Sequence, residues 1–140
     1  MPRVVAAVSG DLQPRIRALL PGCVLRFVRT GSELVRALDE AHCAMLIVEV
    51  HFDEHAAVAA LRCVLAREDT FPVVCVRSVS CDRRERVVLD ALRRALHGTV
   101  ARAFIDLAEH LDDETGNARV RTMLMRLLLE HAPVKELSVL

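Results

Sequence analysis

Residues 43–50, CAMLIVEV, decide the architecture. They form a nearly unbroken apolar run of strand length that closes on one acid, Glu49. A strand with one wet face alternates apolar and polar residues. A continuous run has no wet face, which is how a central strand of a parallel sheet reads when helices cover both sides. Such a strand also carries the Glu49 carboxylate to the edge of the sheet.

The residues just beyond send a different message. His51-Phe52-Asp53-Glu54-His55 matches the H-x-x-E-H pattern of inverted zinc hydrolases. That chemistry needs both histidines on one helix face, with the glutamate beside a metal-bound water and a third ligand elsewhere. Here His51 follows the strand with almost no gap, and the helix is expected to begin near Asp53 or Glu54. His42, Cys43 and Glu49 lie nearby without a recognisable ligand spacing. The pattern straddles an element boundary, so no metal site is expected. Asp53 reads as an acid at a helix N-terminus, together with Glu54, and also as a short-range alternative to Glu49.

Working outward, the elements alternate. RVVAAVSG (3–10) is a short strand, and DLQPRIRALLPG (11–22) a helix with Asp11 as its cap and Pro14 in its first turn. CVLRFVRT (23–30) alternates as a half-buried strand. The next helix, 31–42, has Ser32 as its cap and buries Leu34, Val35 and Leu38. After the 43–50 strand, EHAAVAALRCVLARED (54–69) reads as a helix, FPVVCVRSVS (71–80) as a fourth strand and DRRERVVLDALRRAL (82–96) as an amphipathic helix. Strand and helix alternating at these lengths specify a parallel sheet wrapped by helices. Residues 99–107 fit two readings. Element order makes VARAFI a fifth strand, whereas Val100, Phe104, Leu107 and Leu111 recur at helical spacing. The strand is the expectation. A last helix over roughly 117–131 carries Val120, Met123, Leu124, Leu127 and Leu128, with its methionines as core filler. Residues 132–140 form a tail or the start of a linker.

Composition narrows the function. The chain has 140 residues, enough for one domain with a sizeable core. Aromatics are only 3%, so the core must be aliphatic and single-stranded nucleic acid finds no stacking platform. Lys+Arg and Asp+Glu balance at 19 each, so no net field draws the chain to nucleic acid or to an anionic membrane. Arg83, Arg84, Arg86, Arg93 and Arg94 give the 82–96 helix a basic face, but Glu85 and Asp90 interrupt it. Five scattered cysteines without C-x-x-C, and no signal peptide, point to a reducing cytoplasm. Cys43 and Cys75 read as small buried apolar residues, and Cys81 lies in a polar loop. No G-x-S-x-G, Walker loop or G-x-G-x-x-G is present. VSGDLQP, after the first strand, offers little for a flavodoxin-type phosphate loop.

Five βα units of this size, with an apolar third strand ending in an acid, resemble the receiver domain of bacterial response regulators. The resemblance covers about residues 3–131 and lies in topology and spacing. It implies an α/β, flavodoxin-like, doubly wound parallel sheet of five strands with helices on both faces. In that family a carboxylate at the end of the third strand accepts a phosphoryl group. An acid pair after the first strand helps bind Mg²⁺, a Thr or Ser ends the fourth strand, and a Lys ends the fifth. Aligned by strand ends, the acceptor position is Glu49. The acid pair falls on Ser9 and Gly10, with Asp11 nearby. The Thr/Ser position falls on Arg77 or Ser78, and the Lys position on Asp106 or Leu107. Glu is one methylene longer than Asp, which displaces the carboxylate by roughly an ångström or more, and in-line transfer depends on placement at that scale. The resemblance therefore implies a degenerate receiver: no enzyme, no cofactor, no metal, and a fixed Glu49 charge with Arg77 as its counter-ion or with solvent around it.

Charge near the C-terminus is segregated. Asp106, Glu109, Asp112, Asp113 and Glu114 form an acidic block between arginines at 83–94 and 119–126. In receiver-like folds the fourth helix, fifth strand and fifth helix commonly form a dimer face. By that resemblance, Arg83, Arg94, Asp106, Asp112 and Arg119 are expected to pair across a homodimer. The functional expectation is a regulatory module acting by protein contacts, with a protein partner or an effector domain beyond Leu140. The alternative is a cofactor-binding or enzymatic domain on the same scaffold.

Overall fold

The computed structural model describes residues 1–49, 71–77 and 102–131, together with Arg62. Five short strands make one sheet: β1 (Arg3–Ala7), β2 (Val24–Val28), β3 (Met45–Glu49), β4 (Val73–Arg77) and β5 (Arg102–Asp106). Every pairing is parallel, and the spatial order is β2-β1-β3-β4-β5. This is the flavodoxin-like order, in which the chain reverses direction across the sheet between β1 and β3. The expected helices over 54–69 and 82–96 lie outside the described residues, as does the 132–140 tail.

Side-chain alternation sorts the sheet into two cores. Val4, Ala6, Met45, Ile47, Val74 and Val76 face one way, against helices α1 (Gln13–Leu19) and α3 (Glu114–His131). Val5, Ala7, Leu46, Val48, Val73 and Cys75 face the other, against α2 (Gly31–Glu40). Both faces are covered, so β3 is buried from end to end, as its apolar run requires. Edge strand β2 is only half-buried, with Val24 exposed. Cys43 and Cys75 are buried as small apolar residues.

β5 settles the double reading over 102–107, while residues 99–101 lie outside the described residues. Ala103, Phe104 and Ile105 stand in parallel register with Val74, Cys75 and Val76 of β4. Leu107 is buried in a 3-10 turn (Leu107–Glu109) beyond the strand, and Leu111 is exposed. The helical spacing was therefore a coincidence of two separate segments, and ladder pairing overrode it.

Two caps differ from expectation. The residue before α1 is Leu12, not Asp11, and no side chain caps the helix. Leu12 is driven into the core, so the helix starts one residue later and Asp11 stays in the exposed turn. At α2 the cap is Thr30, not Ser32. Thr30 Oγ1 accepts from the Glu33 N–H at 3.1 Å, and Glu33 reaches back to accept from the Arg29 N–H at 3.1 Å. The C-terminal carbonyls of α2 are held from β1. Arg3 donates to Ala37 O at 2.9 Å and Ala41 O at 3.2 Å and pairs with Glu40. The Arg26 guanidinium, hydrogen-bonded to Glu40, holds that exposed carboxyl below the usual glutamate range.

The methionines of α3 are a correction. Val120, Leu124 and Leu128 fill the core, but Met123 and Met125 stand exposed beside Leu129. The helix carries apolar residues on more than one face, so apolar spacing alone did not show which of them point inward.

Candidate functional site

The C-terminal edge of the sheet gathers the residues of interest. β1 and β3 are neighbours whose connections leave in opposite directions, and the crevice at such a switch point is where open α/β sheets bind ligands. Ser9 follows β1 and Glu49 ends β3. The two meet there. Glu49 Oε2 accepts from the Ser9 N–H at 2.7 Å, and Oε1 lies 3.4 Å from Ser9 Oγ. The first is a short charge-assisted bond and the second is weak. Glu49 is 6% exposed, one of two polar residues in the described core.

A second polar pair lies at the far strands. Arg77 at the end of β4 stands in register with Asp106 at the end of β5, and the two form an ion pair. Asp106 has a further role. Its Oδ1 accepts from the Ala108 N–H at 3.0 Å and caps the 3-10 turn. Asp11 is exposed, without a hydrogen bond or ion pair among the described residues. Asp53 and Ser78 lie outside the described residues, and so do the H-x-x-E-H pattern and Cys81.

Among the described residues the donor set does not suit Mg²⁺. That ion wants near-octahedral oxygen ligands, usually with more than one carboxylate or phosphate oxygen. The carboxylates of the described edge are Glu49, whose two oxygens are turned to Ser9, Asp106, which is paired with Arg77, and an outlying Asp11. Among the described residues no three His, Cys, Asp or Glu side chains converge as a metal site.

No protein-family model matches the sequence, and no curated protein matches it. Solved structures do. A response regulator from Hahella chejuensis superposes with a TM-score of 0.66 at 17% identity, over 92% of this chain and 96% of that one. This chain has the fold of a response-regulator receiver domain. The signal receiver domain of a histidine kinase from Syntrophus aciditrophicus gives 0.65 at 22% identity, over 91% and 90% of the two chains. NtrX from Brucella abortus gives 0.67 at 17% identity, and there the 99% of this chain that superposes spans 29% of NtrX. On this receiver fold, Glu49 stands where the third strand ends and Ser9 where the first does.

The residues expected at a dimer face are only partly described. Arg83 and Arg94 lie outside the described residues. Asp106 is engaged with Arg77, and Asp112 Oδ1 accepts from Asn117 Nδ2 at 2.9 Å. Arg119 is exposed. Arg15, Asn117 and Arg121 join α1 to α3 through hydrogen bonds; the sequence shows Arg121 only as one of the arginines at 119–126 and does not single out Arg15 or Asn117. Nothing local in the sequence shows that the partners of Arg15 and Arg121 are carbonyls of a distant element. Burial pushes the half-buried Cys23 thiol upward, against a smaller opposing effect of the N-terminal amine, which makes it a poor nucleophile.

Proposed function

We propose that this chain is a receiver-like regulatory module that works through protein contacts, without aspartyl phosphorylation and without enzymatic activity. The observation that carries the reading is the Glu49–Ser9 contact. At the position where the fold family receives a phosphoryl group, the carboxylate is a glutamate, nearly buried and hydrogen-bonded across the β1–β3 crevice. A nucleophile must meet the phosphoryl donor in line, with cations to neutralise the developing charge. An acid turned onto a backbone N–H, with Asp106 rather than a lysine at the end of β5, supports a site that holds its own negative charge instead of acquiring one. Incubation with acetyl phosphate and Mg²⁺, followed by intact mass, tests this. The expected result is no phosphoryl adduct, and a Mg²⁺-dependent adduct mapping to residues 49–53 overturns it.

The domain spans residues 1–131, with 132–140 as tail or linker, in a cytoplasmic regulator of bacterial type. Its partner is an effector domain or a separate protein, as the place of the matching region within the longer NtrX chain suggests. Self-association through the last strand and helix is part of the proposal. Arg83, Arg94 and Arg119 remain its cationic side, and Met125 and Leu129 offer exposed apolar surface. Asp106 and Asp112 contribute less, because their carboxylates already have internal partners. Light scattering after size exclusion is expected to show a dimer that persists at high salt, and a monomer at all concentrations removes the dimer.

A further inference from the structure

The two helices on one face of the sheet exchange arginines. Arg15 of α1 donates from Nε to Asn117 Oδ1 at 3.1 Å and from Nη1 to Leu107 O at 3.1 Å. Its Nη2 donates to His110 O at 2.8 Å and Leu111 O at 3.3 Å. The Arg15 side chain is only 11% exposed, and the carboxylate of Asp112, 3.8 Å from Nε, is itself 64% exposed. This cation is therefore held mainly by backbone carbonyls and an amide. In return, Arg121 of α3 donates to Leu19 O at 3.2 Å and Ala18 O at 2.7 Å, near the end of α1. A guanidinium is a rigid planar fork of five N–H donors. Spread over Leu107, His110, Leu111 and Asn117, the Arg15 fork brackets the whole connection from β5 to α3.

The other end of α1 leads to the sheet edge. No side chain caps this helix. Its start is set by a turn in which the Leu12 N–H donates to Ser9 O at 3.1 Å, and Ser9 is the residue bound to Glu49. At the far side, Leu107 O belongs to the 3-10 turn capped by Asp106, and Asp106 pairs with Arg77. The contacts run from Glu49 through Ser9, α1 and Arg15 to the 3-10 turn, Asp106 and Arg77. They join the ends of β3, β1, β5 and β4 through hydrogen bonds together with the backbone of α1 and of residues 106–108.

We propose that Arg15 couples the Glu49–Ser9 contact to the start of α3, so that weakening that contact is felt at that helix. Arg15 is a positioning residue that acts through the carbonyls it holds. The inference rests on the regulatory reading for its purpose and on the Arg15 geometry for its mechanism. Coupling of this kind is established by its dependence on the linking residue, not by proximity.

The test is amide NMR of the full chain with Glu49→Gln in three backgrounds: native, Arg15→Lys and Arg15→Met. Arg15→Lys keeps the charge but cannot span four acceptors, and it serves where Arg15→Met does not fold. In the native background Glu49→Gln is expected to shift the amides of Ser9–Leu12 and also those of 107–117. In the Arg15 variants the Ser9–Leu12 shifts are expected to persist while the 107–117 response is lost. A general loss of stability would not separate the two regions in this way. An unchanged 107–117 response without Arg15, or none in the native background, overturns the proposal. The acetyl phosphate adduct is a different readout, so the coupling and the phosphorylation-free reading fail separately.

Discussion

Glu49 sits at the end of a strand buried along its whole length, where an acid needs a partner to be tolerated. Ser9 supplies that partner through a main-chain N–H, which every substitution of Ser9 except proline keeps. Glu49→Ala takes away the acceptor and leaves that N–H to solvent, since Ser9 is exposed, a loss of about 0.5–1.5 kcal/mol. Glu49→Gln keeps an acceptor oxygen and is expected to lose less. Urea unfolding measures both, and a Glu49→Ala variant as stable as the parent contradicts the contact. The acid at the strand end was legible in CAMLIVEV, because an apolar run that stops at a glutamate can end only at the sheet edge. Its partner was not. Ser9 acts through its backbone, and a backbone donor leaves no mark in a sequence.

Element boundaries show which local signals survive packing. Thr30 and Ser32 are both good helix caps, and the choice between them depends on where α2 leaves β2. Asp11 is a better cap than Leu12, yet burial of Leu12 decides the start of α1. Element order favours a fifth strand against the local periodicity, and pairing of 102–106 with β4 agrees with the order. At the start of α3, Asp113 Oδ1 accepts from the Gly116 N–H at 2.7 Å. Gly116 has another constraint that sequence does not announce. A Cβ there would fall inside van der Waals contact of Leu111 O, the carbonyl that Arg15 also holds. Replacing a helical glycine by alanine ordinarily gains about 1 kcal/mol. Here Gly116→Ala is expected to reverse the sign and cost about 1–3 kcal/mol through overpacking against backbone. A rise in the urea midpoint contradicts that packing.

At the scale of the molecule, sequence and structure agree on one parallel sheet with both faces covered. The alternation of strand and helix, an aliphatic palette and a continuous third strand were sufficient for that. Function was less legible, because it depends on which side chains meet across strand ends far apart in sequence. The structure brings Ser9 to Glu49 and Arg77 to Asp106, pairings that no spacing rule specifies. Neighbours at 17% and 22% identity share the fold, and a fold shared at that distance leaves the chemistry to the site. On the proposed function, Glu49 stays engaged with Ser9 and takes no phosphoryl group. Titration with beryllofluoride and Mg²⁺, followed by the Ser9 and Glu49 amide resonances, tests this most directly. Both resonances are expected to stay in place throughout the titration. A saturable shift of the two together, dependent on Mg²⁺, would contradict it.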